Sequence, residues 1–318
     1  MRHLVVVNPK SFGSRAGMDT VLGGIRTYFQ WAGENFLIYV SRYPRDAISV
    51  VNEHASSTNE TVRVYSVGGD GILYDCLNGI VGLPNAELAV IPYGTSNDFV
   101  RSFGEDSQPV FRDISKQAKA GTIPTDVINI GVRHALNFCC AGGEAVIIHK
   151  YYEISKRYPV VSRKLGKRMY TVAAVSAFMD GMVSGQKYDI RADGKPVGGT
   201  FIGINIGNGP CYGGNRIPLP MAVLTDGFLD IITIESHINL RLFRRLYDYG
   251  KGGHQNHPGT FRYTRAREIV VSSDLPMNLN ADGEAFYASK IKARVVPGAV
   301  KIVAPDGLSY QRRREDVL

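Results

Sequence analysis

Two short stretches of this 318-residue chain place small and oxygen-bearing residues where a phosphate could bind. They are Gly68-Gly69-Asp70-Gly71 and Tyr93-Gly94-Thr95-Ser96-Asn97-Asp98. Glycines let backbone N–H groups approach an anion closely, and a helix opening directly after them adds the positive end of its dipole. Asp70 would repel a phosphate unless a cation lay between the two, which points to Mg²⁺. The same tetrapeptide also reads as a tight turn in which Asp70 only caps the helix. Thr95 and Ser96 bring hydroxyls, and Asn97 or Asp98 suits a helix cap. Neither stretch is a GxGxxG dinucleotide fingerprint or a Walker A loop.

Residues 1–124 must position these loops, and there the chain alternates between two patterns. Apolar, β-rich runs at Leu4–Val7, Phe36–Val40, Val62–Val67 and Leu88–Ile91 predict strands. Helical segments are expected near Met18–Trp31, Asp46–His54 and Leu73–Ile80. Such alternation predicts a Rossmann-like parallel sheet, and the continuous apolar character of the strands fits a sheet covered on both faces. Each strand runs into a small polar loop at its C-terminal end: Asn8-Pro9-Lys10-Ser11, Ser41 to Asp46, and the two glycine loops. In an open parallel sheet those ends share one edge, where ligands bind.

From Asp126 onward the pattern becomes short runs rich in Val, Ile, Phe and Tyr with turn residues between them. Strands are expected at Val127–Ile130, Ala135–Cys140, Tyr188–Ala192, Thr200–Ile206, Phe228–Ile234, Ile269–Ser272, Met277–Asn280 and Ile291–Val296. Helices are expected over Arg168–Met182 and Leu240–Lys251. This predicts an antiparallel, β-sandwich-like domain over residues 125–318, with its boundary near Gly121–Thr125. The last strand of the chain is a candidate to return to the first domain.

Val67-Gly68-Gly69-Asp70-Gly71, Asn78-Gly79 and Pro92-x-Gly94-Thr95-x-Asn97-Asp98-Phe99 together resemble the nucleotide-binding blocks of the diacylglycerol kinase catalytic family, which includes soluble bacterial lipid kinases and sphingosine kinases. Leu224-Thr225-Asp226-Gly227-Phe228-Leu229-Asp230 and Asn280-Ala281-Asp282-Gly283-Glu284 are similar to its later blocks. The resemblance implies a two-domain fold with ATP in the cleft, against Asn8, Ser41, Gly68, Gly69, Asp70, Gly71, Ile72, Leu73, Tyr74 and Thr95. It implies magnesium at Asp226 with the main-chain carbonyls of Val223 and Phe228, and Asp70 linked through water. It implies Glu284 or Asp282 as the group that takes the acceptor's proton, with Asp70 beside the phosphates. The chemistry asks for the same parts, because phosphoryl transfer needs charge neutralisation and a carboxylate at the attacking hydroxyl. Asp282-Gly283 and Asp226-Gly227 also read as ordinary turns, and Asp126 is a weaker candidate for the carboxylate network. The chain departs from the family's usual Thr at Ile72 and its usual Asn-Glu at Tyr74-Asp75, and its first loop is one residue longer.

Alternative readings are an NAD kinase-like or phosphofructokinase-like small-molecule kinase, which also use Gly-Gly-Asp-Gly, and a catalytically silent nucleotide- or lipid-binding regulator. The net charge of +8 is uneven: residues 1–124 carry −1 and residues 125–318 carry +9. Lys150, Lys156, Arg157, Arg163, Lys164, Lys167 and Arg168, interleaved with Tyr151, Tyr152, Tyr158 and Tyr170, face only Glu153 as an acid in that stretch. Cations among tyrosines suit an anionic lipid surface, and a plain solvated face is the competing reading. No helix-turn-helix, zinc-finger or RNP pattern points to nucleic acid. The four cysteines show no zinc spacing, and no apolar run approaches a membrane span or a signal-peptide core. The expectation is a cytoplasmic protein that touches membranes from the side. The acceptor lipid and the oligomeric state are left open.

Overall fold

The computed structural model describes residues 1–310 except 167, 215 and 237, and leaves the side chains of residues 105, 163 and 240 undescribed. The first half runs β1 (Arg2–Val7), α1 (Arg15–Ala32), β2 (Phe36–Val40), α2 (Asp46–Ser56), β3 (Val62–Gly68), α3 (Asp70–Ile80), β4 (Ala86–Pro92), α4 (Gln108–Arg112), α5 (Ile114–Lys119), β5 (Thr122–Asn129), β6 (His134–Ala135) and β7 (Phe138–Gly142). The second half adds α6 (Gly143–Arg157), α7 (Pro159–Leu165), α8 (Arg168–Met179), β8 (Gln186–Ala192), β9 (Lys195–Pro196), β10 (Gly199–Gly207), β11 (Leu229–Glu235), α9 (Leu240–Tyr249), β12 (Phe261–Ala266), β13 (Glu268–Ala281) and β14 (Glu284–Val303).

Strands β1 to β4 are parallel in the order β4-β3-β1-β2, so all four C-terminal ends reach one edge, as the loop pattern requires. Every residue of β3 is buried, which is why that strand reads as a continuous apolar run. Leu77, Ile80, Val51 and Phe103 pack one face of this sheet, and Leu22, Ile25 and Phe29 of α1 pack the other. In the second half β8 buries alternate residues Tyr188, Ile190 and Ala192, the period-2 signature of a strand with one wet face. Its inner face packs against Phe201, Ile204, Ile231, Val271 and Leu279. A separate apolar layer, with Phe138 and Cys140 of β7, Ile202 of β10 and Ile232 and Ile234 of β11, packs against helices α6, α8 and α9.

Sequence and structure part at the connections. Ile269–Ser272 and Met277–Asn280 belong to one strand, β13, with a register shift against β14 between Ser272 and Met277. The expected run Ala135–Cys140 is broken into β6 and β7. The expected boundary near Gly121–Thr125 falls inside β5, which runs through it. β5 pairs antiparallel with β14 from Thr122–Val303 to Asn129–Arg294. β14 itself returns to the first sheet, pairing parallel with β4 at Lys301–Glu87 and Ile302–Leu88. The two halves are therefore joined through β14 into one hydrogen-bonded sheet. Helix α6 was not expected, because its N-terminal residues Ala145 to Ile148 read as a continuation of the preceding apolar run. No helix among the described residues is long and apolar enough to cross a membrane.

Candidate active site

The two glycine loops meet backbone to backbone. The Tyr93 and Gly94 N–H groups both donate to the Gly68 carbonyl, at 2.7 and 3.0 Å. A Cβ on Gly69 would sit 3.0 Å from Gly94 Cα, and one on Gly94 would collide with Gly69. Only glycine allows this approach. Asp70 locks the loops together from the first turn of α3: its carboxylate accepts the N–H groups of Asn97 (3.0 Å) and Asp98 (2.9 Å). Asn97, in the left-handed conformation at φ 50°, closes its own loop through Gly94. The first N–H groups of α3, which have no intrahelical partners, open on this junction.

A cavity of about 320 Å³ begins here and runs to the β13–β14 hairpin. Its walls include Gly69, Asp70, Gly71, Thr95 and Asp98 on one side, and Asn137, Asp282, Gly283 and Glu284 on the other. Of the sequence-expected residues, Gly69, Asp70, Gly71, Thr95, Asp282 and Glu284 share this cavity. Asn8, Ser41 and Gly68 stand at or just beyond the ends of β1, β2 and β3, behind the wall. Asn8 folds back on the Lys10 N–H, and the Ser41 hydroxyl donates to Asp46 at 2.8 Å. Ile72 and Leu73 turn into the core of the first sheet, and Tyr74 is buried.

The carboxylates divide into two kinds. Asp282, at φ 45° in the hairpin turn, accepts the N–H groups of Leu136, Asn137 (3.1 Å) and Phe138 (2.9 Å). It thus clamps the hairpin to the start of β7. Asp98 accepts the Gly214 N–H at 2.9 Å. Burial pushes both acids up to about 7, and at Asp98 the nearby Asp70 charge adds to it. Burial also raises Asp70, against the lowering effect of its backbone hydrogen bonds. Glu284 has a different setting: it ends in the cavity and pairs with Arg45 across the cleft. Asp126 lies elsewhere, buried and accepting the N–H groups of Gly227 (2.7 Å) and Gly298 (2.8 Å).

Asp226 is also outside the cavity. Its carboxylate is paired with Arg265 at 2.5 Å and accepts the Phe228 N–H at 3.1 Å, while its own N–H donates to the Val223 carbonyl. A magnesium ion there would have to displace the guanidinium, and the described residues hold no cluster of three acidic, His or Cys side chains suited to a metal. The donor set as it stands does not fit a bound ion.

Beside the polar cavity lies a second one of about 550 Å³, which shares Tyr170, Gly213 and Gly214 with it. Its walls are mostly apolar: Ile147, Ala174, Val175 and Phe178 from α6 and α8, Phe243 and Leu246 from α9. At the shared wall Glu144, buried, receives the hydroxyls of Tyr170 and Tyr212 and an Arg216 N–H at 3.1 Å. The pattern search missed Glu144, Arg216 and Arg45. A lone acid in the apolar run Cys139–Ile148 was the available signal for Glu144, and nothing local marked the other two.

Residues 2–130 match the diacylglycerol kinase catalytic domain, and residues 153–304 match the YegS C-terminal NAD kinase beta sandwich-like domain. This chain belongs to the diacylglycerol kinase catalytic family. A probable lipid kinase YegS-like protein of Alcanivorax borkumensis is 26% identical over 84% of this chain and 83% of its own. The diacylglycerol kinase of Bacillus subtilis is 26% identical over 89% of each. The crystal structure of a putative diacylglycerol kinase from Bacillus anthracis shares the fold, with a TM-score of 0.74 at 22% identity over 97% of this chain and 98% of that one. As a member of a kinase family, the chain is a phosphotransferase.

Proposed function

We propose that this kinase transfers the γ-phosphoryl group of ATP to a hydroxyl of a lipid such as diacylglycerol, presented at an anionic membrane surface on the cytoplasmic side. The observation that carries the reading is the joining of two unlike cavities. One has glycine loops, a helix N-terminus and carboxylates; the other has mostly apolar walls around about 550 Å³, a lining that suits hydrocarbon. A small polar acceptor such as a dinucleotide would have no use for the second.

In this reading the glycine loops and Thr95 hold the donor's phosphates, with Asn8, Ser41 and the α3 turn from Gly68 to Tyr74 supporting that edge. Magnesium accompanies the nucleotide and offsets its phosphate charge. Glu284 takes the proton from the acceptor hydroxyl as that oxygen bonds to the γ-phosphorus. The bond from phosphorus to the β,γ-bridging oxygen breaks, and ADP leaves with its electron pair. Glu284 suits the role better than Asp282 because three backbone N–H groups already occupy the Asp282 carboxylate.

Phe178 of α8 and Phe243 of α9, both lining the apolar cavity, meet edge to face at 5.0 Å. Val172, Val175, Met179, Phe243 and Tyr247 are exposed on these helices, and Arg168 and Lys251 stand at the rim. Apolar side chains ringed by cations suit an anionic bilayer. Part of the basic run expected to do this, Arg163 and Lys167, lies outside the described side chains. The test is to incubate the purified protein with labelled ATP and a total lipid extract and to identify the labelled product by mass spectrometry. A labelled lipid is expected; label transferred only to NAD or to a sugar phosphate would overturn the reading.

A further inference from the structure

Arg45 occupies an unusual place. It is the residue before α2, in the left-handed conformation at φ 75°, ψ −2°, where an L-residue other than Gly, Asn or Asp is uncommon. It makes no capping hydrogen bond with its side chain. Instead the guanidinium lies 4.6 Å over the Tyr74 ring, donates to Asp75 at 2.5 Å, and crosses the cleft to pair with Glu284. Tyr74 and Asp75 are the second turn of α3, whose first turn, Asp70 and Gly71, forms the phosphate end of the cavity. One turn of helix is about 5.4 Å, so a flexible arginine reaches either end without moving its backbone.

We infer that Arg45 is a phosphate ligand of the donor nucleotide which, in the empty cleft, covers the Glu284 carboxylate. The inference rests on the reading that ATP binds at the glycine loops and that Glu284 is the base. A polyphosphate at the mouth of α3 offers the planar guanidinium a multiply charged oxyanion, two oxygens of which arginine can bind through two parallel N–H bonds. Moving to it leaves Asp75 and Tyr74 as the hinge and frees Glu284 to accept a proton. Arrival of the nucleotide thereby exposes the base, and the hydroxyl is activated only when a phosphoryl donor is in place. The chemistry of the cluster supports this, since a base held by a guanidinium is a poor proton acceptor.

The groups facing Glu284 are Arg45 and, behind it, Asp75 from the first sheet; Asp282 on its own hairpin; Asp70 across the cavity; and Tyr152 of α6, whose hydroxyl lies against Gly283. Arg45 is the cation paired with it among the described side chains, so removing Arg45 withdraws the positive charge that favours the carboxylate form in the free enzyme.

Arg45→Gly is the informative variant, because glycine accepts the left-handed backbone and preserves the turn. Calorimetric titration with ATP and with adenosine reads binding without turnover. The variant is expected to bind ATP about tenfold or more weakly, as for loss of a charge-assisted hydrogen bond, with adenosine binding unchanged and Arg45→Lys intermediate. In the pH profiles the acid limb of kcat/KM for ATP, which reports the free enzyme, should move to higher pH. The acid limb of kcat, which reports the loaded enzyme, should stay in place. Unchanged ATP affinity, or equal weakening of ATP and adenosine, would overturn the phosphate role and leave a structural latch. Movement of both limbs would mean that Arg45 stays on Glu284 during the reaction, and the uncovering step would be wrong. If Glu284→Gln keeps full turnover while Arg45→Gly still loses ATP affinity selectively, the base reading fails and the phosphate role stands.

Discussion

The two walls of the polar cavity are built on different principles. On the glycine-loop wall the backbone does the work: Gly69 and Gly94 touch main chain to main chain, and Asp70 spends its carboxylate on the N–H groups of the neighbouring loop. On the opposite wall side chains from distant segments do it. Glu284 comes from the β13–β14 hairpin, Tyr152 from α6, Tyr170 from α8 and Tyr212 from the segment after β10, and Glu144 of α6 holds the two last tyrosines together with Arg216 from the side of the second cavity. A wall made of backbone tolerates side-chain change as long as its glycines stay. A wall made of side chains fails one residue at a time, and this asymmetry can be tested.

The largest effect is expected from Glu284→Gln. If the hairpin wall supplies the base, turnover falls by ~10²–10⁴-fold, while ATP affinity by calorimetry weakens by less than about twofold, well short of the roughly tenfold at which a lost charged hydrogen bond would register. Turnover above about a tenth of wild type would return the hairpin to a structural role and move the search to Asp70.

Glu144→Ala comes next. It leaves Arg216, whose side chain is 21% exposed, without its acidic partner; breaking a fully buried pair on one side costs about 3–5 kcal/mol, so a loss toward the lower end is expected. Urea denaturation should show that loss, and Glu144→Ala with Arg216→Met together should recover much of it. A loss for the single variant under about 1 kcal/mol would mean that water reaches the pair, as at exposed salt bridges.

Asp282 adds a pH-dependent contribution to stability. Burial raises its folded carboxyl to about 7 from the ordinary 3.8. The folded state therefore holds the proton more tightly, and ionisation costs folding free energy as the pH climbs between those values. The stability difference, wild type minus Asp282→Asn, should fall from pH 4 to pH 7 and level off above. A difference that rises over that window would show that the three N–H groups outweigh burial and hold the group ionised.

The smallest effect belongs at the rim of the apolar cavity. Arg168→Gln with Lys251→Gln should weaken binding to vesicles containing anionic lipid by about thirtyfold, at ~1 kcal/mol for each of the two cations, and reduce its salt dependence. Transfer to a detergent-dispersed acceptor should be unchanged. Equal binding by wild type and variant would make these cations an ordinary solvated face.

The glycine-loop wall was legible in the chain for a physical reason. Its parts are contiguous, and a strand that runs into glycines and then a helix announces itself by local composition. The four early strands, their helices and the edge they share all follow from the pattern. Ile72, a departure within that pattern, is explained by the fold: its side chain packs in the core, so the position never faced the phosphates as a hydroxyl would.

Other features were open to neither composition nor period. The sequence by itself determined that strands β1 to β4 bring small polar loops to one edge, that Asp70 and Thr95 stand there, and that Asp282-Gly283 turns a hairpin. The return of the last strand was a candidate from the chain, and the tertiary structure decided its partner and register, β14 against β4 at Lys301–Glu87 and Ile302–Leu88. The tertiary structure alone brought Arg45 to Glu284, 239 positions further along the chain. Turn and strand signals are local energies, readable over a few residues. The pairing of a cation with a carboxylate across a cleft depends on chain crossing and register, which no short window contains.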